Sequence, residues 1–224
     1  MVKVIVFDAY GTLFDVQSVI PACESLFPGN GSIISRLWRQ KQLDYTWLRA
    51  LMKRYENFEK VNIDALRFTL NQLGKPNTDE IVQKLVEEYL YLSPYPEVTE
   101  VLSSLSNLRL AILSNGTQDM LETLVNHASL TPMFEQILSV NRLQTYKPDP
   151  SVYNFAITQL SVEKDEVLFV SSNGWDVAGA KSFGFTVAWV NRAAKELEEL
   201  GEGPDFIVSD LEELLPIVEQ ESSR

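Results

Sequence analysis

The chain has 224 residues, enough for one large domain or for a core carrying an inserted second one, and its 45% hydrophobic and 22% charged residues suit an ordinary globular protein. A formal net charge of −12 argues against nucleic acid or an anionic membrane as partner, so an anionic substrate would need local Arg or Lys to meet it. One Cys and one His exclude an intramolecular disulfide, a thiolate cluster and a multi-histidine metal site within one chain. No apolar run approaches the roughly 20 residues that span a bilayer, and Val4 to Phe7 is too short for a signal h-region, so a reducing cytoplasm is the expected compartment.

Val4 to Phe7 is an unalternated apolar run, the pattern of a strand buried on both faces at the centre of a parallel sheet. It ends abruptly at Asp8, and Gly11 allows the chain to turn there. In open α/β sheets the ligand crevice lies beyond the carboxyl ends of the strands. On this segment alone Asp8 stays open as nucleophile, metal ligand or solvated turn residue. Helical periodicity follows over Phe14 to Phe27, broken by Pro28-Gly29-Asn30-Gly31. It resumes after a Ser32 cap through Ile33, Ile34, Leu37 and Trp38 to Tyr55, then over Asn62 to Leu73 and Thr78 to Leu92.

From there strand and helix alternate. Strands are expected at 109–114, 136–140, 166–171, 185–190 and 206–208, with helices over 118–128, 150–160, the stretch ending at Phe183, and 210–218. Glu219 to Arg224 is polar and expected to fray. The order predicts an α/β fold, a doubly wound parallel sheet built from residues 1–14 and 93–224, with an all-helical insert over 15–92.

Three of the buried strands end in polar clusters: Asp8 with Tyr10 and Thr12; Ser114 with Asn115; Ser171 with Ser172, Asn173 and Asp176. A fourth cluster, Tyr146-Lys147-Pro148-Asp149-Pro150, precedes a helix. In a parallel sheet the strand ends share one edge, so these groups can converge on one crevice, although each is weak alone.

In order and in placement the four clusters resemble the four motifs of the haloacid dehalogenase superfamily, and the helical insert resembles its cap over a Rossmann-like core. The first motif is usually D-x-D-x-T; here it reads Asp8-Ala9-Tyr10-Gly11-Thr12. Superfamily phosphatases use the second Asp as a general acid, and a tyrosine with a phenol pKa of about 10 is a poor replacement. Ser171-Ser172-Asn173-Gly174-Trp175-Asp176 also lacks the paired acids that help those enzymes hold Mg²⁺. Both departures resemble the L-2-haloacid dehalogenase branch, which works without metal or other cofactor. Arg39-Gln40, Leu43 to Tyr45 and Phe58 resemble that branch's cap.

The resemblance implies hydrolysis of short L-2-haloalkanoic acids through an ester on Asp8. Lys147 is implied to keep Asp8 ionised. Arg39 and Asn115, with Phe58 and Trp175 as apolar walls, are implied to hold the departing halide. Ser114 and the backbone near Tyr10 are implied to take the substrate carboxylate. Asp176, Ser171 and Asn173 would orient Lys147 and the hydrolytic water, with Thr12 and Tyr153 as supporting hydrogen bonders, Tyr153 on the substrate side. Members of the branch are commonly dimeric, so the apolar residues Trp38, Trp47, Leu48, Leu51 and Met52 are expected to form a homodimer through the cap helices.

Blander readings stand beside these. A solvated basic face explains Arg39 among Arg36, Lys41, Arg49, Lys53 and Arg54 equally well without the resemblance. Lys147 would pass as a loop charge, Ser171 to Asn173 as an N-cap cluster, and Trp175 and Phe58 as core. His127 reads as a surface residue and Cys23 as packing. The competing functions are an Mg²⁺-dependent superfamily phosphatase acting on a small phosphoester, and an idle member that binds a metabolite or partner.

Overall fold

The structure, a computed structural model, describes residues 2–222 and the backbone alone at Ser222. Six strands form one sheet: β1 (Val4–Phe7), β2 (Arg109–Ser114), β3 (Gln136–Ser139), β4 (Val167–Ser171), β5 (Thr186–Val190) and β6 (Phe206–Val208). Their order is β3-β2-β1-β4-β5-β6, every pairing parallel. This is the doubly wound arrangement expected from the alternation of elements. β1 lies in the middle, with Val4 opposite both Arg109 and Val167, and all four of its residues are buried. That position explains why it carries no polar alternation.

Helices α1 (Ile20–Leu26), α2 (Gly31–Leu51), α3 (Phe58–Gln72) and α4 (Asp79–Glu87) fall between β1 and β2, followed by α5 (Val98–Ser104). The rest are α6 (Gln118–His127), α7 (Pro150–Leu160), α8 (Gly174–Phe183) and α9 (Leu214–Ser222). Among the described residues no helix is long and apolar enough to cross a membrane.

Several expectations shift at this level. The helix expected from Phe14 begins only at Ile20, because Phe14 bridges to Tyr10 and Pro94 and Asp15 caps a 3₁₀ turn over Val16–Val19. The helix expected from Asn62 starts a full turn earlier, at Phe58, where the Asn57 side chain accepts from the Lys60 N–H at 2.9 Å. α5 was not expected at all; only Val98, Val101 and Leu102 mark its buried face, too few for a periodic signal. α9 starts later than Asp210 and continues through Ser222, past the expected fraying point at Glu219; Ser223 and Arg224 lie outside the described residues.

The chain enters and leaves the α1–α4 region along one seam. Asp15 donates its N–H to the Ser93 carbonyl at 2.8 Å, and Tyr95 donates to the Leu13 carbonyl at 3.0 Å. Within that region Trp38 of α2 is fully buried and donates its indole N–H to the Asn62 carbonyl of α3 at 2.9 Å. Trp38 therefore belongs to the interior and contributes nothing to an exposed apolar face, contrary to expectation. Tyr55 reaches Asn141 and Tyr146 reaches the Glu56 carbonyl, at 2.7 and 2.6 Å, so phenol groups fasten the helical region to the sheet side.

Candidate active site

Asp8 follows β1 by one residue and donates its N–H to the Val170 carbonyl at 2.9 Å, which keeps it in line with the sheet edge. Ser114 and Ser171 are the last residues of β2 and β4 on either side. The parallel register thus brings three segments, far apart in sequence, to one edge.

Lys147 arrives from the loop before α7 and is wholly buried. Its ammonium lies 2.7 Å from Asp8 Oδ1 and 2.6 Å from Asp176 Oδ2, and it also donates to the Leu113 carbonyl at 3.1 Å. Burial alone would lower the Lys147 pKa; the carboxylates of Asp176 and Asp8 outweigh it and hold the pKa above the ordinary lysine value. Burial pushes the Asp176 carboxyl up to about 6, with the Lys147 charge opposing and the Asp8 charge adding.

The remaining lone pairs are taken with little to spare. Asp8 Oδ2 accepts from Asn173 at 2.7 Å and from Thr12 at 3.1 Å. A carboxylate offers about four acceptor positions, so three donors leave one of them for chemistry. Asp176 Oδ1 accepts from Tyr153 at 2.8 Å, and its Oδ2 takes Ser171 as well as Lys147, at 3.1 Å from the hydroxyl.

Asp8, Tyr10, Arg39, Leu43, Phe58, Ser114, Asn115, Lys147 and Trp175 surround one small cavity of about 10 Å³, room for about one water. The Tyr10 ring stacks on Phe58 with centroids 5.5 Å apart, and Trp175 meets Trp47 edge-on at 5.5 Å. Burial pushes the Tyr10 phenol above its ordinary pKa, so it stays a neutral wall. Asn115 Oδ1 accepts from the Lys147 N–H at 2.9 Å, which leaves the NH₂ end of that amide for the cavity. The Ser114 hydroxyl oxygen is 3.4 Å from the Gly116 N–H, leaving its O–H free to donate.

Of the thirteen residues singled out in the sequence, twelve line the cavity or bond directly to Asp8, Lys147 or Asp176 on its near side. Tyr153 is the exception. It was expected on the substrate side, but it is fully buried behind Asp176 and packed against Phe169, Phe183 and Phe185. Burial and the Asp176 charge push its phenol well above the ordinary range, which keeps it a donor to that carboxylate. Cys23 is buried with its thiol pushed up to about 12, consistent with packing, and His127 is exposed and meets Tyr91 edge-on at 5.0 Å.

Four contributors had no role in the sequence reading, although Leu43 and Ser172 stand in segments that it singled out. Leu43 lines the cavity. Ser172 ties the Asp8 loop to the end of β4, its N–H donating to Thr12 Oγ1 at 2.8 Å and its hydroxyl to the Gly11 carbonyl at 2.6 Å. Arg192, beyond β5, donates to the carbonyls of Gly11 and Thr12 at 3.3 and 3.0 Å and pairs with Glu97 at 2.7 Å. Gln42, fully buried, accepts from Arg39. A run of Asn191-Arg192 after a strand looks like any charged loop, and nothing in the sequence marks Gln42 as interior.

Next to the cavity is a wider cleft of about 740 Å³, sharing Tyr10, Arg39 and Leu43 with it and lined also by Arg36, Arg192 and Lys195. In a chain of net charge −12 this local positive lining is the approach suited to an anion.

Comparison with known proteins adds independent findings. A family model of the haloacid dehalogenase-like hydrolases matches residues 2–184. The chain is 48% identical to an (S)-2-haloacid dehalogenase of Pseudomonas putida, over 94% of this chain and 93% of that one. It is 43% identical to haloacetate dehalogenase H-2 of a Moraxella species, over 97% and 98%. Its fold superposes on the L-2-haloacid dehalogenase of Xanthobacter autotrophicus, solved with chloropropionic acid covalently bound, at a TM-score of 0.94, 44% identity and coverage of 98% and 99%.

Proposed function

Because the chain belongs to the haloacid dehalogenase-like hydrolases, and within them to the L-2-haloacid dehalogenase branch, we propose that it hydrolyses short L-2-haloalkanoic acids to 2-hydroxyacids. It is a hydrolase acting on carbon–halide bonds. The observation that carries the reading is the Asp8 carboxylate held by Lys147, Thr12 and Asn173 at the edge of an apolar-walled cavity that also contains Arg39.

In the first step an Asp8 oxygen attacks C2 from behind the halogen; the C–O bond forms as the carbon–halogen bond breaks, and halide leaves with the electron pair. Arg39 and the Asn115 amide receive it between Phe58, Leu43 and Trp175. Ser114 and the backbone N–H groups near Tyr10 take the substrate carboxylate. In the second step water attacks the Asp8 carbonyl carbon, the acyl C–O bond breaks, and the hydroxyacid departs with the former Asp8 oxygen. Only the first step touches C2, so the configuration inverts. Lys147 keeps the free Asp8 carboxylate ionised before the first step and again once the ester is cleaved; Asp176, held by Ser171 and Tyr153, fixes Lys147; Asn173 faces the cleft from which water arrives.

We also take residues 1–14 and 93–224 as the catalytic core and 15–92 as the cap, which the seam at Leu13, Asp15, Ser93 and Tyr95 supports. A cytoplasmic homodimer joined through cap helices is part of the same reading, supported by a single buried cysteine and by exposed Leu48, Leu51 and Met52. The phosphatase alternative lacks the second acid of the first motif, where Tyr10 stands, and the relatives compared above are dehalogenases.

The test is halide release from L-2-chloropropionate in the presence of EDTA, with Asp8→Asn lowering turnover by at least about 10³-fold. In a single turnover in heavy-oxygen water the label should enter Asp8, leaving the first product unlabelled. Phosphate release that needs Mg²⁺, with no halide release, would overturn the proposal.

A further inference from the structure

Arg39 Nη1 donates to Gln42 Oε1 at 3.3 Å, and Gln42 Nε2 donates to Asn62 Oδ1 at 2.6 Å. Gln42 and Asn62 are both completely buried, and the indole of Trp38 pins the Asn62 backbone to α2. Among the described residues no carboxylate pairs with Arg39. A cation beside the reacting centre is therefore oriented by a neutral amide, itself oriented by a second.

The direction of this chain is fixed from its charged end. A guanidinium only donates, so Gln42 must turn its oxygen to Arg39 and its NH₂ to Asn62. Asn62 must then offer its oxygen, and its Nδ2 is left with no partner. A buried donor without a partner is costly, and two apolar side chains would pack α2 on α3 without that cost. The arrangement thus retains polarity that packing does not require. Its neutrality is equally informative: a glutamate at position 42 would orient Arg39 just as well but would cancel much of its attraction for a departing anion.

We propose that Gln42, backed by Asn62, is a positioning pair that aims Arg39 at the departing halide while leaving the guanidinium charge uncompensated. The inference rests on the reading of Arg39 as part of the halide cradle. Since halide charge develops only as the carbon–halogen bond breaks, the pair's effect falls on kcat more than on KM.

The experiment measures kcat, KM and the inhibition constant of bromide for Gln42→Glu, Gln42→Met and Arg39→Met, with near-ultraviolet circular dichroism to establish that each is folded. Gln42→Glu should weaken bromide inhibition about tenfold, and both position-42 variants should lower kcat about tenfold with KM little changed. If Gln42→Glu does not fold, Asn62→Asp, which keeps shape and acceptor, should weaken bromide inhibition in the same direction. Wild-type bromide inhibition and kcat in the folded position-42 or position-62 variants, with Arg39→Met impaired, would overturn the positioning role and leave the cradle standing. Unchanged bromide inhibition in Arg39→Met would overturn the cradle and the pair together.

Discussion

Lys147 lies between two carboxylates and can neutralise only one of them. The excess negative charge is spread over Thr12, Asn173, Ser171 and Tyr153, yet burial still raises the Asp176 pKa to about 6. Activity should therefore fall below about pH 6, as a proton on Asp176 releases half the hold on Lys147. Stability runs the other way. A carboxyl that binds its proton more tightly in the folded state than its ordinary 3.8 contributes fully below about pH 4, and that contribution is lost as pH rises through about 6. From pH 4 to 7 the wild type should lose on the order of 2 kcal/mol relative to Asp176→Asn. Urea unfolding at both pH values, beside pH–rate profiles of the two proteins, checks this; a pH-independent stability difference would contradict it. At this scale the sequence was most legible where a residue ends a buried strand, as at Asp8, Ser114 and Ser171. It was least legible for Gln42 and Asn62, because an amide reads the same whether it faces water or the interior. Tyr153 was legible as a participant, but its side of Asp176 depends on how α7 packs against β4.

Helix α2 serves two surfaces. Its inner face carries Trp38, Arg39 and Gln42 toward the site, while its C-terminal end leaves Leu48, Leu51 and Met52 exposed by 50%, 80% and 58%. Trp47, expected on that outer face, instead packs against Trp175. The remaining three residues form a contiguous apolar end well placed for a second copy of the chain. Leu51→Asp should convert a dimer into a monomer by light scattering at micromolar concentration; a wild type that is already monomeric would refute the proposed assembly. Helix faces longer than three turns were readable from period alone. Starts and stops were not: the Asn57 cap, which puts Phe58 in the first turn of α3 and over the cavity, leaves no periodic trace.

The whole molecule is assembled around the first strand of the sheet, which waits longest for its neighbours. β1 pairs with β2 and β4, whose partners for Val4 are Arg109 and Val167. The ribosome supplies about 5–20 residues per second, so Val4 to Phe7 waits several seconds or more for each flank. During that interval the nascent chain presents an apolar segment with unpaired N–H and C=O groups, a template for pairing with another chain. Before β2 is made, the cap-region helices and α5 are the helices available to shelter it. A fragment ending at Leu160 retains β2 but lacks β4, and should be recovered as aggregate; a soluble, monomeric fragment of that length would show that β1 is protected by other means. Placing the nucleophile on the central strand thus has a cost outside catalysis, borne during synthesis, when half of the sheet does not yet exist.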